Sequence, residues 1–205
     1  MLIKIIYIFV TYIITSIPFA YIFSKCISKI DIRTVGSKNV GTTNAFRMSG
    51  YTAGICTFIL DVFKGWISVY VAKTYITSSF LYITIIIFTA LVGHLFPIFL
   101  RFQGGKGVAV SLGMFVYLFL IPTIMSICIF IICFFIFGYV SLGSIMATIS
   151  LPLFLILFKC QMKYVIVVSC ISSIIVYKHK YNIKNIVITQ KKAIKERRDR
   201  DSNPR

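Results

Sequence analysis

From Val108 to Phe158 the chain runs for 51 residues without an Asp, Glu, Lys or Arg, bounded by Lys106 and Lys159. As helix, at about 1.5 Å per residue, the run would reach roughly 75 Å, or about two and a half hydrocarbon thicknesses of a bilayer. No single span uses that length, so the run has to fold back on itself. Pro122 and the stretch Gly138 to Gly143 are its natural breaks, and they divide it into three short passes with a turn near Pro122 on one side and GYVSLGS on the other. Composition agrees with a bilayer protein: 59% of 205 residues are apolar, 13% are charged, and the mean hydropathy is +0.93.

Four more passes follow from the same reasoning. The N-terminal run continues to about Phe23 without a small-residue cleavage pattern, which reads as a retained first helix kinked at Ser16 and Pro18. A second pass covers Tyr51 to Ala72, a third Phe80 to Leu100, and the last Met162 to Tyr177. Seven passes place Lys73, Lys159 and Lys163 on one side and the basic loops and tail on the other. The positive-inside rule then sets the N-terminus outside and the C-terminus in the cytoplasm. The expected fold is an all-α integral membrane protein, with residues 1–188 as one polytopic domain and 189–205 as a basic, disordered cytoplasmic tail, its order after Ile194 least defined.

Charge narrows the partners. Lys and Arg number 22 against 5 Asp and Glu, a net +17, and ten of the 22 lie between Lys178 and Arg205. Nothing aromatic interleaves the tail from residue 189 in the way a nucleic-acid groove requires, so the tail reads as a topological signal lying against anionic lipid, with no nucleic acid as partner. Cys26, Cys56, Cys128, Cys133, Cys160 and Cys170 are scattered through apolar runs without metal-ligand spacing and read as packing residues.

Four polar islands fall on the cytoplasmic side in this reading: Gly36 to Arg47, Gly93 to Gly107, Gly138 to Ser144, and Lys178 to Asn185. They hold no carboxylate, and His94 and His179 are the only histidines, so no metal is expected. Their Arg, Lys, Gly, Ser, Thr and Asn suit a phosphate-bearing ligand. GGKG at Gly104 to Gly107 lacks the Walker frame, because Leu100 stands at the first glycine and Gly107 follows the lysine. Within the second pass Asp61 and Lys64 share a helical face, which fits equally a functional pair and a structural ion pair. His94, beside Pro97, reads as a helix-packing residue. A transporter for an anionic solute would also want glycines, basic groups and helix N-termini, though with polar residues deeper in several spans.

SKNVGTTNAFR, GHLFPIFLRFQGGKGVA, GYVSLGSI and HKYNI, in this order and spacing, resemble the bacterial acyl-phosphate:glycerol-3-phosphate acyltransferases over nearly the whole chain, up to Asn185. The resemblance implies a multi-pass enzyme of the bacterial inner membrane. Its site would face the cytoplasm and move a fatty acyl group from acyl phosphate to the sn-1 hydroxyl of glycerol 3-phosphate, for phospholipid biosynthesis. It carries Ser37, Arg47, Lys106, His179 and Asn182 into the site. Arg47 and Lys106 would neutralise phosphate; Ser37, Ser144, His179 and Asn182 would orient substrate; Asn39, Thr43, Asn44 and the amides of Gly41 to Asn44 and Gly104 to Gly107 would cradle oxyanions. Ser141 is an alternative to Ser144.

An acyl phosphate is already activated, so neither coenzyme A nor another cofactor is expected, and direct attack by the hydroxyl is preferred over a Ser37 nucleophile. His179 or the donor's phosphate would take the proton. The chain departs from the family pattern at Lys38, where glycine is usual, at Gln103, where a lysine commonly stands, at Thr42 for alanine, and at Lys178 for arginine. Neither acyl-chain preference nor oligomeric state is legible.

Overall fold

The computed structural model describes residues 1–186 and 188, and among these every regular element is helical. The first pass is α1 (Leu2–Ser16) and α2 (Phe19–Ser28), broken at Ile17 and Pro18, where the ring removes a donor and pushes the preceding residue out of the helical region. It therefore runs five residues beyond the expected end at Phe23. α3 (Thr42–Val71) is prolonged by a π-helical turn, Ala72–Ile76. Its first turns form a separate short helix, because Gly50 takes φ 86° and kinks the chain; the second pass thus begins nine residues before Tyr51.

α4 (Phe80–Leu95) ends in a 3-10 turn, Ile98–Leu100. The long uncharged run becomes α5 (Val108–Leu118), α6 (Leu120–Phe137) and α7 (Val140–Leu157). Its first break is at Phe119, not at Pro122. Pro122 lies in the first turn of α6, where its missing N–H costs nothing because that position has no intrahelical acceptor. The second break narrows to Gly138 and Tyr139, and Gly143 sits inside α7 with no room for a Cβ against the Phe130 carbonyl. α8 (Met162–Lys178) is followed by α9 (Lys180–Ile186), bent from it by 54°. The tail from residue 189 lies outside the described residues.

Among the described residues five segments are long and apolar enough to cross a membrane, and the α8–α9 pair makes a sixth. α5 is equally apolar but has 11 residues, about 16 Å of helix and half a hydrocarbon thickness. The outer surface presents Phe9, Ile13, Phe63, Phe135 and Ile136 to the surroundings, Phe135 at 81% exposure, an apolar coat that belongs in lipid. Packing inside is close because small residues let backbones meet: a Cβ at Gly65 of α3 would overlap the Val110 carbonyl of α5, and one at Gly113 of α5 would overlap the Val62 carbonyl of α3. Val69, Ile86, Leu91, Val110, Met114, Leu155 and Ile171 fill the core between these helices. The result is a bundle in which α3, α5 and α7 all start at the same end.

Candidate active site

That shared end holds a cavity of about 620 Å³. The starts of α3 (Thr42, Thr43), α5 (Val108, Ala109) and α7 (Val140, Ser141) all line it, and none of these three N-termini carries a side-chain cap. The first-turn amides of a helix have no acceptor within the helix and sit at the positive end of its dipole. Three such ends around one space form an anion site before any side chain is counted.

Two cations add to it. Arg47 lines the cavity from α3, exposed, with no hydrogen-bond or ion-pair partner among the described residues. Lys106 is half-buried and donates from Nζ to Asn182 Oδ1 at 2.5 Å, which ties the GGKG strand to α9. Burial pulls the Lys106 ammonium down from the usual lysine value to about 8. His179 is buried at the bend after α8, its Nδ1 2.8 Å from the Ile175 carbonyl. A carbonyl only accepts, so Nδ1 carries the proton and Nε2 is left as the acceptor.

The loop before α3 is a built object. Buried Ile32 and Val40 pack with Ala20, Ala45 and Leu100 into a small core of their own. Asn44 is spent on the same loop: its Oδ1 accepts from the Ser37 N–H, and its Nδ2 donates to the carbonyls of Ile32, Val35 and Asn39. Asn44 therefore shapes the wall from within, and its side chain has no donor left for a phosphate. The loop presents Ser37, Asn39 and Gly41 to the cavity, and the first turn of α3 presents Thr43. Lys38, where glycine is usual, has φ 57°, the left-handed region that glycine enters without strain.

GGKG divides in function. The amide of Gly104 donates to the Leu95 carbonyl and that of Gly105 to the His94 carbonyl, so both cap the end of α4 and face away from the large cavity. A Cβ on Gly104 would meet the His94 carbonyl, and one on Gly105 the His94 ring. Lys106 and Gly107 do line the cavity; Gly107 has φ 93° and turns the chain into α5. The approach to this strand is strained, with Arg101 at φ 52° and Phe102 at φ 63° in succession. Gln103 is exposed and outside the cavity lining.

Ser144 and Ser141 both line the cavity; Ser144 Oγ donates to the Val140 carbonyl, which leaves its lone pairs to accept. The remaining wall is apolar, with Phe46, Phe58, Phe130, Phe134 and Tyr139. Phe58 and Phe134 are exposed, so this apolar end of the cavity is open and not sealed. Sequence reading missed this wall, because a phenylalanine that faces a cavity and one that faces lipid look alike in an apolar run. Asp61 and His94 line the cavity as well, and their ionisable type inside a span was the one available signal.

A cavity with a cationic, amide-lined end and an open apolar side, in a bundle of apolar helices, has the form of a membrane-embedded site suited to amphiphilic, anionic molecules. The family model for glycerol-3-phosphate acyltransferase matches residues 5–189. The chain is 49% identical over 187 residues to the glycerol-3-phosphate acyltransferase of Endomicrobium trichonymphae, covering 91% of this chain and 94% of that one. It is 39% identical to that of Lawsonia intracellularis over 200 residues, 95% and 98% of the two chains. Among solved structures it is similar to PlsY (YgiH), an integral membrane glycerol 3-phosphate acyltransferase. The glycerol 3-phosphate form matches at TM-score 0.86 with 32% identity, and the lysophosphatidic acid form at 0.83 with 31%, each over 91% of this chain and 92% of that one. The chain belongs to the glycerol-3-phosphate acyltransferase family. It is a multi-pass membrane acyltransferase, and the transporter alternative falls away.

Proposed function

We propose that this acyltransferase takes its acyl group from acyl phosphate and esterifies the sn-1 hydroxyl of glycerol 3-phosphate, releasing lysophosphatidic acid and inorganic phosphate. The observation that carries the reading is the two-ended cavity: three helix N-termini with Arg47 and Lys106 at one end, and the Phe58, Phe130 and Phe134 wall at the other. Two phosphates need more positive potential than one cation supplies, and a fatty chain needs a path to hydrocarbon. Both are present in one space.

In this reading Lys106 and Arg47 hold the two phosphates, with the amides of Thr42, Thr43, Val108 and Ala109 beside them. Ser37, Asn39, Thr43 and Ser144 supply the shorter hydrogen bonds, and Asn182 sets the Lys106 ammonium. Gly41 lets the backbone of α3's first turn approach the ligand, while Gly104, Gly105 and Asn44 act on the walls. His179 presents Nε2 to the attacking hydroxyl. The glycerol oxygen bonds to the acyl carbon, the bond from that carbon to the phosphate oxygen breaks, and the hydroxyl proton ends on the departing phosphate. Such a site needs neither coenzyme A nor a serine acyl-enzyme.

Seven crossings, counting the short α5 and the bent α8–α9, put the four islands on one side of a bacterial inner membrane. The N-terminus is then outside and the site faces the cytoplasm. Residues 1–188 form one domain, and the basic charge of the sequence beyond it matches an anionic inner leaflet. The test is a comparison of donors. Purified protein in detergent should make lysophosphatidic acid from acyl phosphate and not from acyl coenzyme A; turnover with coenzyme A thioester alone would overturn the donor assignment.

A further inference from the structure

Beneath the GGKG strand lies a cluster of ionisable groups to which the acyl transfer gives no role. Asp61, Lys64 and His94 are all buried, at 2%, 3% and 7% exposure. Lys64 Nζ is 2.8 Å from Asp61 Oδ1 and donates to the Ile17 carbonyl at 2.9 Å, at the bend between α1 and α2. His94 Nδ1 lies 3.8 Å from the same carboxylate oxygen. The other edge of the ring, at Nε2, is against Gly105, close enough that a Cβ there would overlap it. The His94 carbonyl also takes the Gly105 N–H. Asp61, Lys64, His94, Gly104 and Gly105 close together around a void of about 10 Å³. The α1–α2 bend, α3, α4 and the GGKG segment thus meet at this cluster, and the segment that leaves it carries Lys106 into the cavity one residue later.

We propose that Asp61 and His94 are positioning residues for the acyl transfer, setting the place of Lys106 through Gly105, with Lys64 balancing the buried carboxylate. Burying three ionisable groups is costly, and an apolar triad of similar volume would pack these helices at least as well. What the polar set adds is a ring with a fixed azimuth, one edge on a carboxylate and the other on a glycine backbone. The inference rests on the reading of Lys106 as a phosphate-holding group.

The test is a double-mutant cycle on His94→Ala and Gly105→Ala, with kcat/KM for glycerol 3-phosphate, its pH profile and thermal stability measured for each. Gly105→Ala should lower kcat/KM about 100-fold by pushing the strand off the ring. His94→Ala should lower it about tenfold, and the double variant should recover at least about tenfold over Gly105→Ala, because the ring, the tightest obstacle, is gone and only the Val40 carbonyl stays close. In His94→Ala the alkaline limb should move above pH 8 as the loosened Lys106 gains water. The other charged or titratable groups facing this region are Asp61, Lys64, Arg47, Tyr139 and His179. Asp61→Asn, which keeps the side-chain shape, should show the same limb shift should His94→Ala fold poorly. Losses that multiply in the double variant, or an unmoved limb with activity tracking only the folded fraction, would overturn the inference. Lys106→Ala is run in parallel: near-normal turnover there would instead remove the reading of Lys106 itself.

Discussion

Replacing Lys106 by methionine separates function from stability at one atom, with opposite signs expected for the two. Lys106 Nζ is half-buried, bonded to Asn182 and set among three helix N-termini. A charge-assisted hydrogen bond to phosphate is worth about 1.5–3 kcal/mol, and a unit charge 4 Å from a phosphate charge at an effective dielectric of 20 about 4 kcal/mol. Loss of about 3–4 kcal/mol in the transition state is a fall of roughly 10²–10³ in kcat/KM. Stability should move the other way. The folded value, about 8, lies below the unfolded one, so the protonated lysine disfavours folding at every pH below 8, and that cost disappears as pH rises from 8 towards the unfolded value. Lys106→Met should therefore melt no lower than wild type at pH 7, with any advantage gone by about pH 10. The assay is phosphate release from acyl phosphate at varied glycerol 3-phosphate, beside a melting curve at both pH values. Less than tenfold loss in kcat/KM, or a drop of several degrees at pH 7, would refute the reasoning.

The same lysine sets a pH limb in the wild-type enzyme: kcat/KM for glycerol 3-phosphate should fall about tenfold per pH unit above pH 8, and Lys106→Arg, whose charge does not titrate there, should lack that limb. Asn44→Ala removes the partner of one N–H and three carbonyls in the loop that carries Ser37, and should cost about 2–4 kcal/mol in stability with activity lost alongside; a melting shift under one degree would contradict it. Lys38→Gly relieves a left-handed residue at the expense of a freer unfolded chain, so a net gain of about 0.5–1 kcal/mol is expected with turnover unchanged within about twofold, checked by denaturant titration.

Much of the fold was legible because the bilayer leaves few choices. The uncharged run from Val108 to Phe158 had to be cut, and it is cut into three helices, of which α6 and α7 are long enough to cross a membrane; the first cut was misplaced, since Pro122 begins a helix instead of ending one. The cationic end was also legible: Arg47, Lys106, His179 and Asn182 meet around one cavity. What sequence could not show was direction. The amides of Gly104 and Gly105 look like a phosphate cradle in one dimension, yet they are consumed by the carbonyls of His94 and Leu95. Asn44 looks like a ligand group and is a brace. The pair Asp61–Lys64, open between two readings, is a buried ion pair that reaches the α1–α2 bend and His94. Each of these depends on which neighbour a group has already satisfied, and that is a tertiary property.

Direct transfer within one two-phosphate cavity is the claim on which the rest depends, and rapid mixing tests it at the chemical step. Purified protein mixed with acyl phosphate alone should release no phosphate within the time of one turnover. Addition of glycerol 3-phosphate should then give phosphate and lysophosphatidic acid in a one-to-one ratio. A burst of about one phosphate per enzyme before glycerol 3-phosphate is added, with the acyl group retained on Ser37, would contradict the account.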